Sequence, residues 1–318
     1  MTRIGQTDLD VFPLCLGGNV FGWTADEATS FALLDAYTAA GGNFIDTADS
    51  YSEWAEGNRG GESETIIGRW LARRGRSDGV IVATKVGQAP GREGLSPANI
   101  RAAAEASLER IGVDHLDLYY AHEDDPNTPL EDTITAFDDL VQSGKVRYVA
   151  ASNYSAPRLA EALAAAERTG RGPYVALQAH YNLVHREEYE GDLAALCEAH
   201  SLSCVAYSAV ADGFLTGKYR PGHDLPVSER AEDAAAYLTD QGVQVLDALD
   251  AVAARTNAPA AAIALAWLIA QPTVAAAVAS ARTGEQLADI LRAPHLELST
   301  DDLALLGAAS APGGDEVA

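Results

Sequence analysis

Asn43-Phe44-Ile45-Asp46-Thr47-Ala48-Asp49-Ser50-Tyr51-Ser52 ends a short apolar run on an acid and puts a tyrosine five residues further on, in the loop. Two later runs repeat the pattern. Val82-Ala83-Thr84-Lys85 closes on a lysine, and Leu118-Tyr119-Tyr120-Ala121-His122 closes on a histidine. Three ionisable side chains at the ends of successive β-prone runs, with Tyr51 just past one of them, predict a shared site at the C-terminal mouths of parallel strands.

Working outward, strand-like and helix-like runs alternate along the whole chain. Strands are expected at 14–16, 43–46, 80–85, 116–120, 146–151, 175–179, 203–207 and 274–277. Helical apolar spacing fills the intervals, as in 26–40, where Ala28, Phe31, Leu34 and Tyr37 recur on one face. Ser96-Pro97 is an N-cap with proline in the first turn, and Gly144 stops the helix before it. Eight β-α units predict an α/β fold of the (β/α)8 TIM-barrel type, preceded by a β-hairpin over 3–12 that plugs the barrel's bottom and followed by extra C-terminal helices. The runner-up is a doubly wound sheet, but its GxGxxG fingerprint is missing. The chain reads as one domain over 1–318, with 308–318 a flexible tail. Two long loops, 54–61 and 209–237, are expected at the functional face, with 223–236 the part expected to be disordered.

The chemistry open to these four side chains is narrow. Tyrosine is a poor acid at neutral pH, with an ordinary pKa of about 10, and a nearby ammonium is expected to lower it. A carboxylate keeps that ammonium charged and aimed. A histidine beside the phenol can hold a substrate oxygen or share in proton transfer. Together they suit protonation of an oxygen as negative charge develops on it. Singly, each has an ordinary explanation: a turn acid, a packed tyrosine, a surface lysine, a satisfied histidine. The order acid, Tyr, Lys, His at intervals of 5, 34 and 37 residues carries the specificity. No nucleophile elbow or metal cage is visible.

With these runs in view, the chain resembles the aldo-keto reductases over about residues 3–291, in the short bacterial form. The likeness rests on Gly41-Gly42-Asn43-Phe44-Ile45-Asp46-Thr47-Ala48, Ala83-Thr84-Lys85-Val86, Ser152-Asn153, Gln178, Tyr207-Ser208 and Gly213-Phe214-Leu215-Thr216-Gly217-Lys218-Tyr219. The resemblance implies that Asp46, Tyr51, Lys85 and His122 are the catalytic tetrad of an NADPH-dependent carbonyl reductase. It implies that Ser152, Asn153 and Gln178 bind the nicotinamide carboxamide and that Tyr207 stacks on its ring. Ser208, Leu215, Gly217 and Lys218 then fall on the pyrophosphate side. Ser280-Ala281-Arg282-Thr283-Gly284-Glu285-Gln286-Leu287 matches the phosphate and adenosine segment, with Ser280, Arg282 and Gln286 as contacts and Arg282 as the partner of a 2′-phosphate.

There are departures from the pattern. Asp289-Ile290 stands where an acid-Asn pair usually meets the adenine, and Ala209-Val210 follows Ser208 in place of Pro-Leu. Glu123-Asp124-Asp125 follows His122, which either places acid at the mouth, favouring polyhydroxylated or cationic substrates over carboxylates, or faces solvent. By position alone, Val20, Phe21, Trp23, Trp54 and Tyr181 are the candidate substrate contacts.

Composition bounds the partners. Twenty-two basic residues against 46 acidic give a net charge of −24, which argues against nucleic acid or an anionic membrane. No apolar run is long enough to span a bilayer and no secretory leader is visible at Met1. Three cysteines, Cys15, Cys197 and Cys204, form no disulfide framework, so a reducing cytoplasm is expected. The expected partner is a small carbonyl compound. Two other readings stay open: reduction of a keto-deoxysugar, and a cofactor-binding regulatory subunit of the potassium-channel β type.

Overall fold

The computed structural model describes residues 1–75 and 79–312. Its first elements are β1 (Thr2–Arg3), β2 (Asp10–Val11), β3 (Leu14–Gly17), α1 (Glu27–Ala39), β4 (Phe44–Asp46), α2 (Glu62–Arg74), β5 (Ile81–Val86), β6 (Gln88–Ala89) and β7 (Arg92–Glu93). Then come α3 (Pro97–Ile111), β8 (Leu116–Ala121), α4 (Leu130–Gln142), β9 (Val146–Ser152), α5 (Ala156–Thr169), β10 (Ala176–His180), α6 (Asp192–Ala199) and β11 (Ser203–Tyr207). A short 3-10 turn (Ala211–Thr216) leads to α7 (Ala231–Ala235), α8 (Asp240–Thr256), α9 (Ala260–Ile269), β12 (Val274–Ala279), α10 (Gly284–Ile290) and α11 (Thr300–Ala309).

Strands β3, β4, β5, β8, β9, β10, β11 and β12 are parallel and close into a barrel, β12 pairing with β3. The fold is therefore the expected (β/α)8 TIM barrel rather than a doubly wound sheet. The N-terminal hairpin β1–β2 is present, and Ile4, Leu9 and Val11 pack with inward strand residues such as Phe44, Leu118 and Val205. The hairpin thus fills the bottom of the barrel. Asn43 at the foot of β4 ties it down, accepting from Phe12 N at 2.7 Å and donating to Asp10 O at 2.9 Å.

Local signals account for the helix limits. In α3 the Ser96 hydroxyl accepts from Asn99 N, and Gly112 ends the helix at φ 73°, a left-handed conformation that glycine adopts without a Cβ clash. Gly42 has a different reason: a Cβ there would sit 2.3 Å from the Tyr37 ring, whose hydroxyl donates to Leu14 O or Phe44 O and accepts from Phe44 N.

Strand alternation positions the chemistry. Side chains two residues apart share a face. Phe44 points into the barrel, so Asp46 does too; Ile81 and Ala83 lead to Lys85, and Leu118 and Tyr120 to His122. The same count takes Ala150 to Ser152, Ala176 to Gln178, Val205 to Tyr207, and Val278 to Ser280.

Two expectations need correction. Within the stretch expected to be disordered, α7 forms and buries Ala234 completely. The expected tail begins too early: α11 runs to Ala309, and buried Ser310 accepts from Arg186 Nη1 at 2.8 Å. Its start is a capping box, Ser299 and Asp302 each bonding the other's backbone N–H. Residues 313–318 of that tail lie outside the described residues. The small hairpin β6–β7 after Lys85 had no expectation at all. Among the described residues no single helix is long and apolar enough to cross a membrane, and the three cysteines are buried and unpaired.

Candidate active site

Asp46, Lys85 and Tyr51 form one hydrogen-bonded knot. Lys85 Nζ donates to Asp46 Oδ2 at 2.7 Å, to Tyr51 Oη at 2.7 Å and to Thr47 O at 2.9 Å. The Tyr51 hydroxyl donates to Asp46 Oδ2 at 3.0 Å, and Gln178 Nε2 donates to Asp46 Oδ1 at 2.8 Å. The lysine is fully buried and Asp46 nearly so, and the pair satisfies its charge almost entirely from within. His122 closes the group, its ring 6.0 Å from that of Tyr51 in an edge-on approach.

Electrostatics depart from the expectation for Tyr51. Burial first, and then the Asp46 carboxylate, holds its phenol well above the ordinary tyrosine range, opposite to the lowering expected from Lys85. Burial likewise pulls the Lys85 ammonium down, against the pull of Asp46. Burial and then Lys85 hold His122 well below the usual imidazole range, which keeps its ring neutral at physiological pH. The arrangement is a protonated phenol beside a neutral imidazole, suited to giving up a proton and donating a hydrogen bond.

Two adjoining clefts open at this mouth. The first is lined by Asp46, Tyr51, His122, Ser152, Asn153, Gln178, Tyr207 and Ser208, among others. The second is lined by Val20, Trp23, Lys218, Arg282, Gln286, Asp289 and their neighbours. Val210, Arg230 and Ser280 line both, so the two are one groove. Asn153 bridges the first cleft, donating to His122 O at 2.9 Å and accepting from the Tyr207 hydroxyl at 2.8 Å. One face of Tyr207 stacks on His180, ring centres 5.2 Å apart. Ser152 Oγ and His122 Nδ1 are buried and have no partner among the described residues. Ser280 Oγ donates to Asn19 Oδ1 at 2.6 Å, and Gln286 accepts from Arg282 N at 2.8 Å.

The donor set fits a dinucleotide. Ser152, Asn153 and Gln178 offer the donors and acceptors that a carboxamide needs, Tyr207 offers a ring face, and Lys218 and Arg282 offer cations. Gly17 adds a close approach, since a Cβ there would lie 2.6 Å from Ser280 Oγ. Five of the non-glycine residues with positive φ, Ser52, Asn153, Ser208, Ala211 and Asp212, sit in the loops around this groove. Backbone in that region costs energy and tends to be kept where it aims a functional group.

Some expected contacts are not brought to the groove. Phe21 is fully buried and Tyr181 nearly so, and neither lines either cleft. Tyr181 is one residue past inward-facing His180, so it turns outward, where its hydroxyl donates to Glu190 at 2.6 Å. Leu215 is fully buried and Gly217 lines neither cleft. Val20 and Trp23 do line the second cleft, and Trp54, half exposed, packs edge-on against Trp23 at 5.7 Å and lies 6.2 Å from Tyr51.

Of the three acids after His122, Glu123 accepts from Gln88 Nε2 at 3.1 Å at the edge of the first cleft, while Asp124 and Asp125 are tied into loop contacts. Arg158 grips Asp124 with two bonds of 2.7 and 2.8 Å, and Asp125 caps the backbone at Leu95 and Asn127. Sequence reasoning passed over Arg230, Asn19 and Gln88, all of which line the first cleft. It also passed over the buried Asp49, where burial and then Glu64 raise its carboxyl to about 7.

Residues 13–311 match the profile of the Aldo/keto reductase family. The uncharacterized oxidoreductase YrpG of Bacillus subtilis is 34% identical over 99% of this chain and 97% of its own length. Protein tas of Escherichia coli is 33% identical, with 95% of each chain covered. A probable voltage-gated potassium channel subunit beta of Oryza sativa is 31% identical over 92% of this chain and 90% of its own.

Proposed function

The chain belongs to the aldo/keto reductase family, and from that premise we propose that it reduces an aldehyde or ketone to an alcohol with NADPH as reductant and Tyr51 as the general acid. The observation that carries this reading is the part-buried phenol held by Lys85 at 2.7 Å and Asp46 at 3.0 Å in a cleft shared with neutral His122. NADPH, when bound, supplies the hydride. The protein's own part is to orient, shield and protonate. Ser152, Asn153 and Gln178 would hold the carboxamide, Tyr207 the ring, and Lys218 and Arg282 the phosphates. His122 donates a hydrogen bond to the substrate oxygen and Tyr51 gives that oxygen its proton. Lys85 already donates to the phenol oxygen, so the phenolate left behind is stabilised.

A raised phenol pKa suits this direction of reaction. The acid must carry its proton, and burial keeps it there through neutral pH. The test is consumption of NADPH by the purified protein with a panel of aldehydes, ketones and keto-sugars, run in parallel with NADH. Tight NADPH binding with no turnover on any member would sink the catalytic reading and favour a cofactor-binding subunit, in line with the name of the rice relative. Turnover confined to the keto-sugars would favour the sugar reductase.

A further inference from the structure

Arg230 stands at the end of a long loop that folds back over the middle of the groove. It lines both clefts, and its guanidinium lies 5.6 Å over the Trp23 ring. Trp23 meets Trp54, and Trp54 meets Tyr51, so an aromatic wall runs from the guanidinium to the phenol. The charge of Arg230 reaches Tyr51 and is one of the influences on its proton.

The guanidinium is not fully used. Its only carboxylate neighbour within 4.0 Å among the described residues is Asp212, at 3.6 Å, beyond hydrogen-bond distance, and its side chain makes no hydrogen bond with them. Asp212 is itself held at φ 55°, beside Ala211 at φ 48°. A planar group with five donors, part-buried on an aromatic face and facing a loose counter-ion, is arranged to exchange that counter-ion for a better-fitting anion. On the first cleft Asp212 is the counter-ion to be displaced, and the catalytic groups there do not compete for such an anion. Asp46 is consumed by Lys85, Tyr51 and Gln178, and His122 is neutral. Of the acids that would repel an anion, Asp124 and Asp125 are held in loop contacts, and Glu123 at the cleft edge accepts from Gln88 Nε2 at 3.1 Å.

We propose that Arg230 binds an anionic group on the substrate, so that the preferred substrates are carbonyl compounds carrying a carboxylate at a distance from the carbonyl. This rests on the reductase reading above and names its substrate class. A carboxylate on the cleft side would pair with Arg230 while Tyr51 and His122 hold the carbonyl oxygen. The same guanidinium chemistry could serve the cofactor's pyrophosphate, because Arg230 borders both clefts, so the experiment separates the two.

The probes are para-formylbenzoate and para-nitrobenzaldehyde, whose nitro group has the carboxylate's shape without its net charge. The reading is the ratio of their kcat/KM values in wild type, Arg230→Gln and Arg230→Lys. A lost charge-assisted bond predicts that the ratio falls roughly tenfold to a hundredfold in Arg230→Gln, through the KM of para-formylbenzoate, and is partly kept in Arg230→Lys. A second readout needs no turnover: terephthalate titrated against tryptophan fluorescence should saturate with wild type and not with Arg230→Gln. An unchanged ratio overturns the proposal while leaving the reductase intact. An equal loss for both aldehydes together with weakened NADPH binding assigns Arg230 to the cofactor and also overturns it. Terephthalate binding that depends on Arg230, in a protein that reduces no aldehyde, would keep the anion site and reject the reductase.

Discussion

Replacing Lys85 with methionine isolates what the buried ion pair does for the fold. Methionine keeps the length and apolar stem of lysine and removes the charge with its three donated bonds, to Asp46, Tyr51 and Thr47. Asp46, nearly fully buried, is left facing Gln178 and Tyr51 with no cation. Removing one partner of a buried pair typically costs about 3–5 kcal/mol, because the other charge is stranded. At about 2.1 cal/mol/K per residue, a chain of 318 residues unfolds with an entropy on the order of 0.7 kcal/mol/K. The melting temperature at alkaline pH should therefore fall by roughly 4–8 °C. The deficit has a definite pH dependence. The stranded carboxyl escapes its cost by taking up a proton when folded, whereas in the unfolded chain it titrates near an ordinary value of about 3.9. The folded variant thus binds more protons than its unfolded form, and the deficit shrinks as pH falls. Adding Asp46→Asn removes the stranded charge, so the double variant should melt above Lys85→Met at alkaline pH. Scanning calorimetry of the three proteins across pH tests this. A Lys85→Met protein that melts within about 1 °C of wild type, or a double variant no more stable than the single, would refute the account of a closed buried pair.

Three further outcomes are expected. Tyr51→Phe should nearly abolish carbonyl reduction while NADPH still binds, because it removes the proton donor and no cofactor contact; titration and steady-state rates on one preparation check both halves. Arg282→Ala should weaken NADPH binding more than NADH binding, by roughly tenfold to a hundredfold if it meets the extra phosphate; equal losses in paired titrations would make it an ordinary surface arginine. Asp49→Asn should stabilise the protein increasingly with pH. The folded carboxyl titrates at about 7 and the unfolded one near its ordinary value, so wild type loses stability as pH rises to about 7 while the asparagine variant does not lose this part. Denaturation of the pair at mildly acid and mildly alkaline pH reads the difference, and a gap that stays constant with pH would disprove the raised pKa.

Much of the site was legible because strand alternation and strand ends are written locally. Asp46, Lys85 and His122 each end an apolar run in the inward register, and the same count reaches Ser152, Gln178 and Tyr207. Tyr181 was misplaced by one residue: the inward position is His180, and a slip of one turns a side chain to the other face. Phe21 follows the first barrel strand in a tight turn, where no periodicity says which way a side chain points. Its carbonyl accepts from Ser52 Oγ at 2.7 Å and its ring is buried. The expected tail from 308 cut into the end of the last helix, because Ala308, Ala309 and Ser310 show no local stop signal and are fixed by the tertiary bond from Arg186 to Ser310. Arg230 was beyond reach for another reason. It lies in a loop far past β11, and only the path of that loop brings it over Trp23.

The charge balance makes the remaining cations informative. In a chain with 46 acids and 22 bases, most arginines can find a carboxylate. Arg69, Arg73, Arg101, Arg158 and Arg255 have each done so. Lys218 and Arg282 have no carboxylate within 4.0 Å among the described residues, although they line a cleft that also holds Asp289 and Glu229. They are close enough that, after burial, Arg282 is what lowers the Lys218 pKa. Two like charges kept together in a cleft, in a protein able to neutralise them many times over, destabilise the empty fold. An anion entering between them relieves both the repulsion and the missing hydrogen bonds at once. The same reasoning separates Arg230 from this pair. It retains Asp212 as a loose counter-ion at 3.6 Å, so its guanidinium is held ready rather than held in conflict.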